Sequence, residues 1–154
     1  MYVKYNLWAN KTIVEFLNAQ DNSILDKEVV SSFTSIRETI FHIVNAQHIW
    51  IERMRGNSPT DWPSKTLNIE HATSELILSS QSWVEFLADQ PDTFYLAICS
   101  FSTLDGTVYK ETNGNIIMHC MNHSTFHRGQ LITMFRAAGV TDKLPRTDLI
   151  AYLR

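Results

Sequence analysis

Three histidines at four-residue intervals, His119, His123 and His127, stand in the segment "HCMNHSTFHRGQ", and residues of that type at that spacing suggest coordination chemistry. Helical residues advance ~100° each, so steps of four drift by only ~40° and the imidazoles form one stripe. Its neighbours Ile116, Ile117, Cys120, Leu131 and Met134 set that stripe at the border of a buried face. A buried polar group without a hydrogen bond costs about 1–3 kcal/mol, so both nitrogens of each neutral ring need an occupant. A divalent cation satisfies one nitrogen per ring, and the i, i+4 pair His123 and His127 is the spacing by which a helix offers two ligands to one ion. The residues alone equally allow core histidines bonded to hydroxyls or carbonyls.

Two familiar metal chemistries are excluded by sequence. A helical metalloprotease needs a glutamate beside the first histidine, whereas Ser124, Thr125 and Phe126 lie between this pair. A di-iron bundle needs Glu-x-x-His on two helices, which the candidate helices lack. A mononuclear site remains, and its third ligand must come from another helix. His42 and His48 are six residues apart, ~240° around a helix, so they do not easily face one ion together. His42 sits among Ile36, Ile40, Ile43 and Val44, with Trp50 placed to wall a shared cavity, and is the better candidate. His48 and His71 have more polar neighbourhoods and read as solvated.

The positioning elements follow from hydrophobic period. Val3, Leu7, Trp8, Ile13, Val14 and Leu17 repeat helically over about residues 2–19. "SIRE" (35–38) fits a capping box that opens a second helix of about twenty residues, stopped at Gly56 before "NSPTDWPS". A third helix spans about residues 69–88 and breaks at "DQPD". "FYLAICSFSTLDGTVYKET" is rich in β-branched and aromatic residues, and Asp105-Gly106 signals a two-residue turn between the halves of a short hairpin or a pair of extended arms. A fourth helix covers about residues 115–138, with Gly139 as the left-handed cap. These elements predict an all-α, single-domain four-helix bundle with a crossover segment between helices three and four.

A chain of 154 residues, 44% hydrophobic and 19% charged, has the composition of a globular domain able to build its own core. A net charge of -3 without a basic run argues against nucleic acid as a partner. Cys99 and Cys120 lack metal or disulfide spacing and read as buried thiols. The amino-terminal stretch is interrupted by Lys4, Asn6, Asn10 and Lys11, so neither a signal peptide nor a membrane span is expected, and the location expected is the cytoplasm.

"YNLWAN" (5–10), "SIRETIFHIVNAQHIWIERMRG" (35–56), "NHSTFHRGQLITMFRAAGV" (122–140) and "TDLIAYL" (147–153) occur in an order that resembles the DinB family of metal-binding four-helix bundles, which includes YfiT-like bacillithiol transferases. The resemblance implies a divalent ion held by His42, His123 and His127, with His119 near the site rather than a principal ligand, and a homodimer through helical faces. Near Gln47 and His48, where the family usually carries a glutamate or a tryptophan, this chain departs from the pattern.

Three imidazoles leave open coordination positions, as in catalytic rather than closed structural sites. The expectation is a metal-dependent enzyme of thiol-transferase type, with a hydrolase or a non-catalytic metal-binding stress-response protein as alternatives. Zinc, nickel, iron and copper all suit imidazole ligands, and zinc, nickel or iron is the expected ion. The partner is a small molecule, such as a low-molecular-weight thiol. Asn45, Asn122, Arg128 and Gln130 join His119 as candidates to touch substrate or support the ligands; Arg128 reads either as a surface ion pair or as a partner for a substrate carboxylate, and Gly129 as a point of close helix approach.

Overall fold

The computed structural model describes residues 1–63 and 69–154. Helices α1 (Tyr2–Asn18), α2 (Ile36–Met54), α3 (Ile69–Ala88) and α5 (Asn113–Ala137) are the long elements. Two short helices, α4 (Asp92–Leu96) and α6 (Leu149–Tyr152), and a 3-10 turn, Asn22–Leu25, accompany them. Each long helix packs on two others, with α2 and α1 both lying against α3 and α5. That is the anticipated bundle, and no helix among the described residues is long and apolar enough to cross a membrane.

Local chemistry sets the helix ends. Ser35 Oγ accepts from Glu38 N–H at 3.2 Å, while the Glu38 carboxylate receives Thr34 N–H at 3.0 Å, one residue further back than a reciprocal box would place it. Thr112 Oγ1 caps α5 through Asn115 N–H at 3.3 Å, which starts the helix at Asn113, two residues before the expected 115. The Gly139 φ of 97° closes the far end in the left-handed region.

The crossover differs from expectation in two respects. Phe94, Tyr95 and Leu96 form a helical turn rather than extended chain, because Pro91 fixes an extended entry and its carbonyl accepts Phe94 N–H at 2.9 Å. Strands β1 (Ile98–Ser102) and β2 (Val108–Thr112) then pair antiparallel, Ile98 opposite Thr112. Their turn is longer than two residues: Gly106 N–H reaches Thr103 O and Thr103 N–H reaches Thr107 O, each at 2.9 Å, with Gly106 at φ 85°. A turn followed by a left-handed glycine makes the three-residue, bulged version of the hairpin. Behind it, a Cβ on Gly114 would stand 3.0 Å from Tyr95 O, a backbone atom that would have to give by a few tenths of an ångström, so glycine eases the close approach of α5 to α4.

The core is layered along the bundle. Ile13, Ile40, Ile43, Leu76, Leu131 and Phe135 belong to one buried apolar cluster; Ile51, Trp83, Ile117, Cys120 and Met121 form another. On every long helix a buried polar residue falls between them: Asn6 and Asn10 on α1, Gln47 on α2, Ser79 and Ser80 on α3, Arg128 on α5. Asn6 Nδ2 donates to Gln47 Oε1 at 2.8 Å, Asn10 Nδ2 to Ser80 Oγ at 2.8 Å, and Gln47 Nε2 to Ser79 Oγ at 3.2 Å. Trp83 Nε1–H adds a bond to Gln47 O at 3.1 Å. This network fixes the register of the helices, since sliding any of them would strand buried donors.

Candidate metal centre

Helix α2 presents His42 toward α5, which presents His123 and His127 from successive turns. Nε2 of His123 lies 3.0 Å from Nε2 of His42 and 3.1 Å from Nε2 of His127. One ligand atom from each of the three falls within 4.8 Å of the others. His127 is buried, and the other two rings are half-buried. Phe33 packs on them, its centroid 4.6 Å from that of His42 and 5.8 Å from that of His127, while Trp62 lies 5.7 Å from His42 on another side.

Burial, followed by mutual repulsion within the cluster, lowers the pKa of His42 and of His123 to about 4. His127 is also lowered by burial, against the opposing effect of its bond to Gln130. The rings are therefore neutral near pH 7, the form that ligates a metal. Gln130 fixes the tautomer of His127: Gln130 Nε2 donates to Ser32 Oγ at 2.7 Å, turning the amide oxygen toward His127 Nδ1 at 2.7 Å. With its proton on Nδ1, His127 aims a lone pair from Nε2 at the cluster. Three neutral rings cannot pair every contact between converging Nε2 atoms by hydrogen bonds if His127 contributes only a lone pair. A cation bound there resolves the convergence, so the donor set fits a divalent metal. His123 Nδ1 is buried without a hydrogen-bond partner, a second sign that its ring is positioned for something besides protein hydrogen bonding.

One side of the cluster opens on a cavity of about 390 Å³ lined by His42, His123, Trp50, Arg53, Trp62 and His119 among others. His119 is not part of the converging trio. Its ring stacks edgewise on Trp50 at 4.9 Å, 6.1 Å from the His123 ring, at the solvent-open margin. Desolvation of its enclosed side and the nearby Arg53 charge lower its pKa. The tip of the hairpin, Thr103 to Asp105, completes the wall.

Other sequence candidates lie elsewhere. Arg128 is 1% exposed and serves the polar layer, donating to Asn10 Oδ1 at 2.9 Å and to Thr125 Oγ1 at 2.8 Å, as well as to Asn6 Oδ1. It is therefore neither a surface ion pair nor placed to meet a substrate carboxylate. Asn45 is buried in α2, and exposed Asn122 borders a separate groove with Met118 and Tyr2. His48 is half-buried, its Nε2 3.6 Å from Glu75, whereas His71 is exposed. Gln47 belongs to the polar layer rather than to the rim of the site. Cys120 is fully buried, but Cys99 is only half so, with Sγ donating to Arg53 O at 3.3 Å. Sequence reasoning missed Phe33, Trp62 and Arg53. The available signals were an aromatic next to a loop proline in "DWP" and an arginine one helical turn after Trp50.

A family model described as the DinB family matches residues 1–154. The chain is 27% identical over 145 residues to Protein DinB of Bacillus subtilis (strain 168), covering 88% of this chain and 83% of that protein. Among solved structures, a DinB-like protein from Bacillus cereus ATCC 10987 superposes with a TM-score of 0.70 at 18% identity, over 94% of this chain and 95% of the other. At that identity the likeness concerns the fold.

Proposed function

The chain belongs to the DinB family, and from that membership and the convergence of His42, His123 and His127 we propose a metal-dependent enzyme that transfers a small thiol to an electrophilic carbon. The observation that carries the reading is the three-nitrogen cluster on the wall of a cavity, since three protein ligands leave a tetrahedral ion one position open for a small molecule. A divalent ion there, zinc, nickel or iron, would supply the positive charge that makes a thiol acidic.

The chain's own residues do the rest. Trp50 and Trp62 restrict water around the cluster and shape the space beside it. His119, neutral at the solvent margin of the same cavity, is placed to take the thiol proton and pass it outward. The sulfur–carbon bond forms as the electrophile's leaving group departs with its bonding electrons. Hydrolysis is less favoured, because Asp105 is the only carboxylate among the described residues lining the cavity and its Oδ1 already accepts Thr107 N–H at 3.0 Å. A carboxylate base for water, in addition to His119, is therefore not at hand.

The test is elemental analysis of untagged protein, followed by thiol titration of the cobalt(II)-substituted form. The expected result is about one equivalent of metal in the parent, loss of it in His42→Ala and in His123→Ala, and a thiol-dependent change in the visible cobalt spectrum. A reloaded parent that binds no divalent ion, or a cobalt spectrum indifferent to every thiol, overturns the proposal.

A further inference from the structure

Arg53 reaches the same cavity eleven residues beyond His42 along α2, a rise of about 16 Å. It is 5% exposed, and the rings of Trp50 and Phe101 lie 4.5 Å and 5.3 Å from its guanidinium carbon. Its Nε is buried without an acceptor, and no carboxylate among the described residues pairs with it. The contrast lies within the same chain, where exposed Asp26 neutralises Arg37 and Glu52 neutralises Arg55. A guanidinium taken from water without a counter-ion is a standing cost, and an anion supplied by a ligand relieves it. The aromatic rings hold the group in place beside the cavity, and its planar fork matches a carboxylate in two-point contact.

The remaining lining defines what such a ligand is like. Between His42 and Arg53 the wall is Ala46, Ile49 and Trp50, faced by Leu104 of the hairpin, so the middle of the cavity is apolar. The other formal charge on the lining, Asp105, is engaged within its own turn by Thr103 Oγ1 and Thr107 N–H. A single available cation suits one negative charge and leaves a phosphate dianion half neutralised.

We propose that Arg53 is the anchor for a substrate carboxylate, so that the cavity takes a molecule with an anion at one end, an apolar body, and its reacting group at the three-histidine end. The inference rests on the reading of those histidines as the reacting centre. It names the substrate class that this centre serves.

The probes are 6-mercaptohexanoate and 6-mercaptohexan-1-ol, alike except for the charge. Their binding is followed by calorimetry on metal-free protein and by the visible spectrum of the cobalt(II) form. Tighter binding of the acid by at least tenfold in the metal-free parent is expected, with that preference abolished in Arg53→Gln and retained in part in Arg53→Lys, both checked for native circular dichroism. Equal affinity for acid and alcohol in the parent overturns the anchor, whether or not the Gln variant folds, and so does a preference that survives in folded Arg53→Gln. An acid preference with no cobalt spectral response supports the anchor and removes the metal-centred chemistry, so the two readings fail separately. Displacement of the acid by inorganic phosphate at comparable concentration would overturn the choice of carboxylate.

Discussion

His127 Nδ1 lies 2.7 Å from Gln130 Oε1, and Gln130 in turn donates to Ser32 Oγ at 2.7 Å, so a three-residue relay holds one ring of the cluster from outside. A ligating histidine whose second nitrogen is held this way keeps its tautomer and orientation, and losing such support typically costs 10- to 100-fold in metal affinity. Gln130→Leu is therefore expected to weaken metal binding by about that factor while leaving helix content unchanged. Competition against a chromogenic chelator measures it. Unaltered affinity would mean that His127 is oriented by its packing against Phe33 and Phe126 instead.

Acid sensitivity of the metal-free protein follows from the same cluster. The folded pKa of His42 and of His123 is about 4, below the ordinary 6.5, so between those values the unfolded chain binds more protons than the folded one. Stability from these groups is complete above about pH 6.5, declines as pH falls toward 4, and changes no further below that. Because the rings are partly exposed, the loss is discounted to roughly 1–2 kcal/mol in all. Urea unfolding at pH 7.5 and 5.0 should show it, and His123→Leu should show a smaller drop. An equal drop in the variant would trace the acid sensitivity to other groups.

Arg128 tests whether the polar layer is separate from the centre. Burial lowers its pKa, yet it donates to Asn6, Asn10 and Thr125 and lies 5.4 Å from the Tyr5 ring centroid, so truncation leaves buried amide oxygens unpaired and opens a void. Arg128→Ala is expected to lose about 2–4 kcal/mol of stability, read by urea denaturation, while still binding one equivalent of metal. Loss of metal by a folded Arg128→Ala protein would refute that separation.

The contrast between His127 and Arg128, adjacent in "HRGQ", shows what the sequence could reveal. Helical period alone put His123 and His127 on one stripe, and the apolar setting of His42 made it the better partner on α2. The same period could not say that a residue ~100° further round faces α1, because that depends on which helices become neighbours. Arg128 consequently read as a surface or substrate group, although its partners Asn6 and Asn10 are more than a hundred positions away. Trp62 and the hairpin tip were illegible as cavity walls for a related reason: loops carry no period to aim their side chains. The two-residue turn read from Asp105-Gly106 failed locally, since the glycine occupies the bulge position after the turn rather than its centre.

Gly129 provides a test in which helix propensity and packing make opposite predictions. As a point of close helix approach, it would reject any side chain. A Cβ built there meets nothing within 4 Å, the position is exposed, and it lies inside α5 rather than at a cap. Glycine in a helix interior costs roughly 0.5–1 kcal/mol relative to alanine, through the freedom it retains in the unfolded chain. Gly129→Ala should therefore stabilise the protein by about that amount, a few degrees in thermal midpoint, with metal stoichiometry unchanged. Gly139→Ala should do the reverse, because φ is 97° there and an L side chain is strained at that angle. If Gly129→Ala instead destabilises the chain or disturbs assembly, the exposed face of α5 at Gly129 is covered in solution, and the helix approach read from the sequence occurs between molecules.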